Sequence, residues 1–156
     1  MGTISATDDN EELIHTKTLF RRHSKGPVMF NGCSPSGDVI IIENISSKKE
    51  FDLTGWYIER QTDTKPLLLY TFLPRFIIPP LTTVELWSAL STPVPLPDQI
   101  GDQQSFISIK TKLLSWNNAR QWSITKLYDH LGREKAVFSH RTLTPTDDDI
   151  KETSTK

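Results

Sequence analysis

Short runs of alternating apolar and polar residues, separated by turn-forming residues, fill the middle of the chain. The clearest of them are residues 56–61 and 67–72, which flank the polar segment 62–66. Because side chains alternate between the two faces of a strand, Trp56 and Ile58 are predicted to share one face. The residues between the two runs favour a reversal of the chain. The pattern therefore predicts an antiparallel hairpin with Trp56 and Ile58 facing the core.

The same alternation predicts about eight strands in all. They cover residues 28–33, 39–43, 56–61 (beginning as early as 53), 67–72, 83–87, 107–110, 121–127 and 135–138. Strands of this length, with turn signals at this spacing, are typical of an antiparallel β-sandwich of roughly 100 residues. A Greek-key barrel is the alternative that the pattern leaves open. The predicted fold class is therefore all-β.

The two ends of the chain lack this alternation. We expect one domain over residues 26–143, between a disordered N-terminal tail (1–25) and a disordered acidic C-terminal tail (144–156). A proline-rich stretch at 92–97 is expected to be an extended linker. A length of 156 residues is sufficient for one such domain with a substantial core.

Composition narrows the possible functions. The net charge of -1 gives no overall attraction to nucleic acid or to membranes. The single cysteine, Cys33, excludes an internal disulfide and fits a reducing compartment. No apolar run reaches the roughly 18 residues that span a bilayer. We also expect neither a signal peptide, nor membrane insertion, nor a prenyl anchor.

Residue types that support catalysis are present but are not grouped. The four histidines lack metal-ligand spacing and have no paired cysteines beside them. Neither a phosphate-binding glycine-rich loop nor a nucleophile elbow occurs in the sequence. The sequence therefore predicts no enzyme activity, no metal site and no cofactor.

A longer block around the hairpin resembles a known family. Residues 55–61 and 66–76 are similar to the Trp-x-Ile-x-Arg-Gln strand and the Pro-Leu-Leu-x-Tyr-x-Phe-x-Pro-basic-Phe segment of the globular tail domain of nuclear lamins. The likeness covers about residues 26–143, with further matches at Asn44 and at 84–87. It implies an immunoglobulin-like sandwich that binds partners, here without a heptad-bearing rod.

The resemblance also implies a function and a location. It points to a non-catalytic protein-interaction module associated with the nuclear lamina or with intermediate filaments. Its partners would be proteins of the nuclear envelope or lamina, and its location the nucleus, with the cytoplasm as the other possibility. Three basic positions of the family pattern are replaced, by Ile41, Glu43 and Thr71, so we expect any contact with nucleic acid to be weak.

Charge is distributed unevenly along the chain. Residues 105–143 carry seven basic and two acidic side chains, whereas residues 26–104 carry five basic and nine acidic ones. The candidate interaction surface combines cations with one loop aromatic residue: Arg60, Arg75, Lys110, Lys112, Trp116, Lys126 and Arg133. These cations are either ordinary exposed strand residues or a surface for weak, non-specific nucleic-acid binding, which is the alternative function.

The four tryptophans are assigned by their strand context. Trp56, Trp87 and Trp122 lie in strand patterns and are predicted to be buried. Trp116 lies in a loop, where it is either a lid over one end of the sandwich or an exposed binding residue.

Overall fold

Eleven β-strands make up the regular structure of residues 17–91 and 105–143, the part of the chain that the computed structural model describes. They are β1 (Lys17–Ser24), β2 (Val28–Cys33), β3 (Val39–Asn44), β4 (Phe51–Asp52), β5 (Tyr57–Thr62), β6 (Leu68–Thr71), β7 (Ile77–Ile78), β8 (Thr82–Trp87), β9 (Ser105–Lys110), β10 (Trp122–Tyr128) and β11 (Glu134–Leu143). The all-β prediction is confirmed.

The strands form a sandwich of two main sheets. A five-stranded sheet has the order β1-β11-β10-β5-β6, and a four-stranded sheet has the order β2-β3-β8-β9. A short pair, β4 with β7, forms a third sheet. All pairs are antiparallel except β8 with β9. Residues 88–104 separate those two strands, which is the dozen or more that a parallel connection needs.

The core lies between the inner faces of the two sheets. Alternate residues are buried along each central strand, such as Ile40 and Ile42 on β3. Trp56 and Ile58 are both buried, as the hairpin pattern predicts. Trp87 is also buried. Trp122 is only half-buried, because the inward positions of β10 begin at the following residue.

Strand β1 lies outside the domain bounds expected from the sequence. Residues 17–24 fall in the expected N-terminal tail, yet they pair with β11 over their whole length, from Lys17 opposite Leu143 to Ser24 opposite Ala136. Seven of the eight side chains are exposed, so the strand has no buried stripe for a hydrophobic pattern to reveal. The rest of the expected tails and the linker at 92–97 lie outside the described residues.

Two glycines hold turns that other residues would strain. Gly132 has φ +81 in the turn between β10 and β11, a conformation that glycine adopts without steric cost. Gly37 has φ +87, and a Cβ there would lie 2.9 Å from the backbone carbon of Asn117. This close approach brings the turn after β2 against the loop before β10.

Candidate functional site

Arg60 points into the sandwich and not to solvent. It occupies the inward series of β5 that begins with Ile58, and its exposed fraction is 0%. Its Nε donates to the carbonyl of Trp116 at 2.7 Å, and its Nη1 donates to Thr125 Oγ1 at 2.8 Å. Its Nη2 donates to the carbonyl of Ser34 at 3.2 Å. The structure therefore corrects the assignment of Arg60 to an interaction surface.

Trp116 is buried beside Arg60, also with an exposed fraction of 0%. Its indole Nε1 donates to the carbonyl of Leu86 at 2.8 Å, and its ring makes an edge contact with Tyr70 at a centroid distance of 5.2 Å. Its backbone N–H donates to the carbonyl of Gly37 at 2.9 Å. The loop residue expected to be a lid or a binding residue is a buried part of the core.

The charge of Arg60 acts on two other buried groups. Burial raises the pKa of the Cys33 thiol to about 12, although the nearby Arg60 charge opposes this rise. Burial lowers the pKa of His140, and the Arg60 charge lowers it further, against the opposite effect of Asp63. Both groups are therefore held in their neutral forms at neutral pH.

The other five predicted surface residues are spread over the molecule. Arg75 is exposed in the loop after β6, where it adopts φ +65. Lys110 ends β9 on the four-stranded sheet, and the exposed Lys112 follows it. Lys126 lies on β10, and Arg133 lies in the turn that follows β10. The structure does not bring these cations onto one face.

Two of these cations are paired with carboxylates. Lys126 Nζ lies 3.5 Å from Glu134 Oε1, and Arg133 Nε lies 2.8 Å from Asp129 Oδ2. Burial raises the pKa of the Asp129 carboxyl, but hydrogen bonds from Arg133 and Leu131 outweigh it and hold this pKa below its ordinary value. The charges of Lys126 and Arg133 are thus compensated locally.

A groove that the sequence analysis missed lies on the outer face of the five-stranded sheet, across β1, β11 and β10. Its volume is about 610 Å³. Because Ser123, Thr125 and Leu127 are buried on β10, the residues between them face outward. The outward residues that line the groove are Leu19, Arg21, Trp122, Ile124, Ser139 and Arg141.

The strand register orders these side chains. Arg141 on β11 lies between Leu19 on β1 and Trp122 on β10. Arg21 lies opposite Ser139, one step further along the same face. Arg21 and Arg141 are therefore diagonal neighbours, whose Cα atoms are roughly 7–8 Å apart in such a pair. Within the described residues, neither guanidinium has a carboxylate oxygen within 4.0 Å.

Sequence reasoning missed this groove for two reasons. Its first strand was assigned to a tail, and β11 was predicted to end at residue 138, five residues before its observed end at Leu143. The alternation of Leu19 and Arg21 was a signal of a strand, but only the pairing with β11 shows which residues they adjoin.

Neither a metal site nor a membrane span is found in the part of the chain that the structure covers. Among residues 17–91 and 105–143, no three His, Cys, Asp or Glu side chains lie close enough to hold a metal ion. The same residues include no helix long and apolar enough to cross a bilayer.

The comparisons with known proteins agree on one family. A family model described as Lamin Tail Domain matches residues 21–142. The chain is 34% identical over 85 residues to a muscle cell intermediate filament protein of Onchocerca volvulus, a match that covers 54% of this chain and 20% of the relative. It is 26% identical over 126 residues to intermediate filament protein A of Ascaris suum, covering 81% of this chain and 24% of the relative.

A third relative comes from a different animal group. The chain is 35% identical over 75 residues to the 70 kDa neurofilament protein of Doryteuthis pealeii, covering 48% of this chain and 12% of that protein. In all three comparisons the matched segment spans less than a quarter of the relative.

Proposed function

The chain belongs to the lamin tail domain family, and we propose that it is a non-catalytic protein-interaction module that acts at intermediate filaments. The observation that supports this proposal is the family match over residues 21–142, which covers the described sandwich almost completely. The family and its intermediate filament relatives are structural proteins. A folded domain shared by such proteins contributes to an assembly through the surface it presents.

The cellular location of this module depends on which filament protein it binds. The nuclear lamina, expected from the resemblance to lamins, is one place where such a module would act. The muscle and neurofilament relatives point to the cytoskeleton as the other. In both places the proposed partners are proteins, and the same experiment identifies which set is bound.

Nucleic-acid binding is not part of the proposal. Lys126 and Arg133 have carboxylate partners, and Arg60 is buried. The comparisons add no nucleic-acid-binding relative. A phosphate backbone is bound by several cations that act together on one surface.

Proximity labelling tests the proposal. The full chain, fused to a biotin ligase, is expressed in cells, and biotinylated proteins are compared with those labelled by the ligase alone. We expect lamins or cytoplasmic intermediate filament proteins to be enriched. Trp116→Ala, which removes a buried side chain, is expected to lose the enrichment, whereas Lys48→Ala at an exposed position keeps it. Enrichment of nucleic-acid-binding proteins without any filament protein would contradict the proposal.

A further inference from the structure

We propose that the outer-face groove across β1, β11 and β10 binds an extended acidic segment of a partner protein. This inference rests on the proposed interaction role and adds to it a surface and a partner chemistry. The groove of about 610 Å³ is lined mainly by outward side chains of the five-stranded sheet, and each of these comes from a paired strand. Its residues are therefore held in fixed register before any partner binds.

The positive charges in the groove favour an anionic partner. Arg21 and Arg141 are diagonal neighbours on one face, and both are exposed. No Asp or Glu is among the described residues that line the groove. Two neighbouring like charges repel each other, and a carboxylate placed between them relieves that repulsion while accepting paired hydrogen bonds. Arginine is suited to binding a carboxylate because the N–H donors of its planar guanidinium match the two carboxylate oxygens.

Two other cations of this region, in contrast, have carboxylate partners within the molecule. Lys126, further along the outward face of β10, lies 3.5 Å from Glu134. Arg133 in the adjoining turn lies 2.8 Å from Asp129. Both are paired within the molecule, whereas Arg21 and Arg141 have no carboxylate partner among the described residues.

The apolar part of the groove favours a peptide over a small anion. Leu19 and Ile124 are 39% and 36% exposed, and Trp122 is half-buried beside them. Exposed aliphatic and aromatic side chains beside arginines are typical of protein-binding surfaces. A free anion would leave these side chains in water, whereas a peptide covers them.

The spacing of the groove defines the peptide pattern. The row that contains Arg21 and the row that contains Trp122 are two residues apart along the strands. In an extended peptide, residues two apart also point the same way and lie roughly 6.6 Å apart. An acidic residue near Arg21 therefore places the residue two positions along at the row that contains Leu19, Arg141 and Trp122. The expected partner segment is extended and carries an acidic and an apolar residue two positions apart, so that both types face the groove.

A peptide-binding titration tests this inference on the full chain. The probe is a fluorescein-labelled extended peptide, Glu-Val-Glu-Glu-Leu-Glu-Val-Glu, followed by fluorescence anisotropy at two salt concentrations. The groove variant is Arg21→Glu with Arg141→Glu. The control is Lys48→Glu with Lys65→Glu, which makes the same change in net charge at two exposed positions outside the groove. Thermal melts establish that both variants fold.

We expect the groove variant to bind the probe at least about tenfold more weakly, since reversed charges at a binding surface cost several kcal/mol. The control is expected to change the dissociation constant by less than about twofold, because its charges lie outside the groove and salt screens them. Trp122→Ala is expected to weaken binding as well, which a purely electrostatic attraction would not require. Equal losses in the two double variants would overturn the inference.

The chain itself offers a competing occupant. Asp147, Asp148 and Asp149 follow β11, whose last residue Leu143 lines the groove. If the variant Asp147→Asn, Asp148→Asn, Asp149→Asn binds the probe more than about tenfold tighter, this segment is the occupant and the inference is overturned. Successful labelling of filament proteins together with failed peptide binding would leave the proposed function standing and place the contact elsewhere.

Discussion

The inner and outer faces of the five-stranded sheet use arginine in opposite ways. On the inner face, Arg60 is fully buried and donates to three carbonyls and a hydroxyl that belong to three separate segments. On the outer face, Arg141 is exposed between Leu19 and Trp122 and has no carboxylate partner among the described residues. Arginine thus stabilises the fold on the inner face, whereas on the outer face its hydrogen-bond donors are available to a partner.

The difference shows that position in the strand, and not residue type, decides which role a cation takes. Alternation from Ile58 already places Arg60 on the inner face. Burying a guanidinium costs desolvation energy, which hydrogen bonds offset only when the geometry is good. Here the carbonyls of Ser34 and Trp116 also gain a donor that the strand ladders do not supply.

Removing the Trp116 side chain is the strongest test of the difference between the inner and outer faces. Trp116→Ala should destabilise the domain by about 3–5 kcal/mol, since it leaves a cavity in the core and frees the carbonyl of Leu86. Trp122→Ala on the outer face is the matched control, and we expect a cost of about 1 kcal/mol for this half-buried side chain. Urea denaturation of both variants measures the difference. Similar midpoints would mean that the inner and outer faces are not energetically distinct.

Replacing Arg60 and Arg141 compares the inner and outer faces at charged side chains. Arg60→Met should destabilise the domain by about 2–4 kcal/mol, because it leaves the buried oxygens of Trp116 and Thr125 without this donor. Arg141→Met on the outer face should change stability by no more than about 0.5 kcal/mol. Chemical denaturation again provides the measurement. If Arg60→Met were as stable as wild type, the hydrogen bonds of this guanidinium would not offset its desolvation.

The sequence predicts the hairpin and the core well because both are local. Alternation places Trp56 and Ile58 inward without knowledge of their partners, and the turn at Gly132 follows from a single residue type. The all-β fold and the family are confirmed for the same reason. The resemblance to the lamin tail covers the very block where the alternation is clearest.

The candidate site is harder to predict because it depends on pairing. The groove forms only where β1 lies against β11, and β1 shows no buried stripe of its own. The summed charge of residues 105–143 includes Asp129 and Glu134 but does not show that they pair with Arg133 and Lys126. Sequence position therefore indicates neither which cations are neutralised nor which of them share a face.

The smallest expected effect concerns a buried titratable group near Arg60. Burial, and then the charge of Arg60, lower the pKa of His140 in the folded protein, against a smaller opposite effect of Asp63. The unfolded chain then binds a proton more readily than the folded one near pH 6, so the free energy of unfolding should be largest above pH 6.5 and fall as the pH drops below it.

Replacing His140 tests this pH dependence against a histidine outside the core. Denaturant titrations at pH 7 and pH 5 should show a loss of stability in wild type that His140→Gln reduces. The matched control is His23→Gln, since His23 is exposed on β1 and its replacement should leave the loss unchanged. A wild-type protein that is equally stable at both values, or a loss that survives in His140→Gln, would show that the neutral imidazole of His140 is not part of the inner-face arrangement. The comparison then measures the combined effect of burial and of the Arg60 charge on His140, which makes no hydrogen bond with Arg60 in the structure.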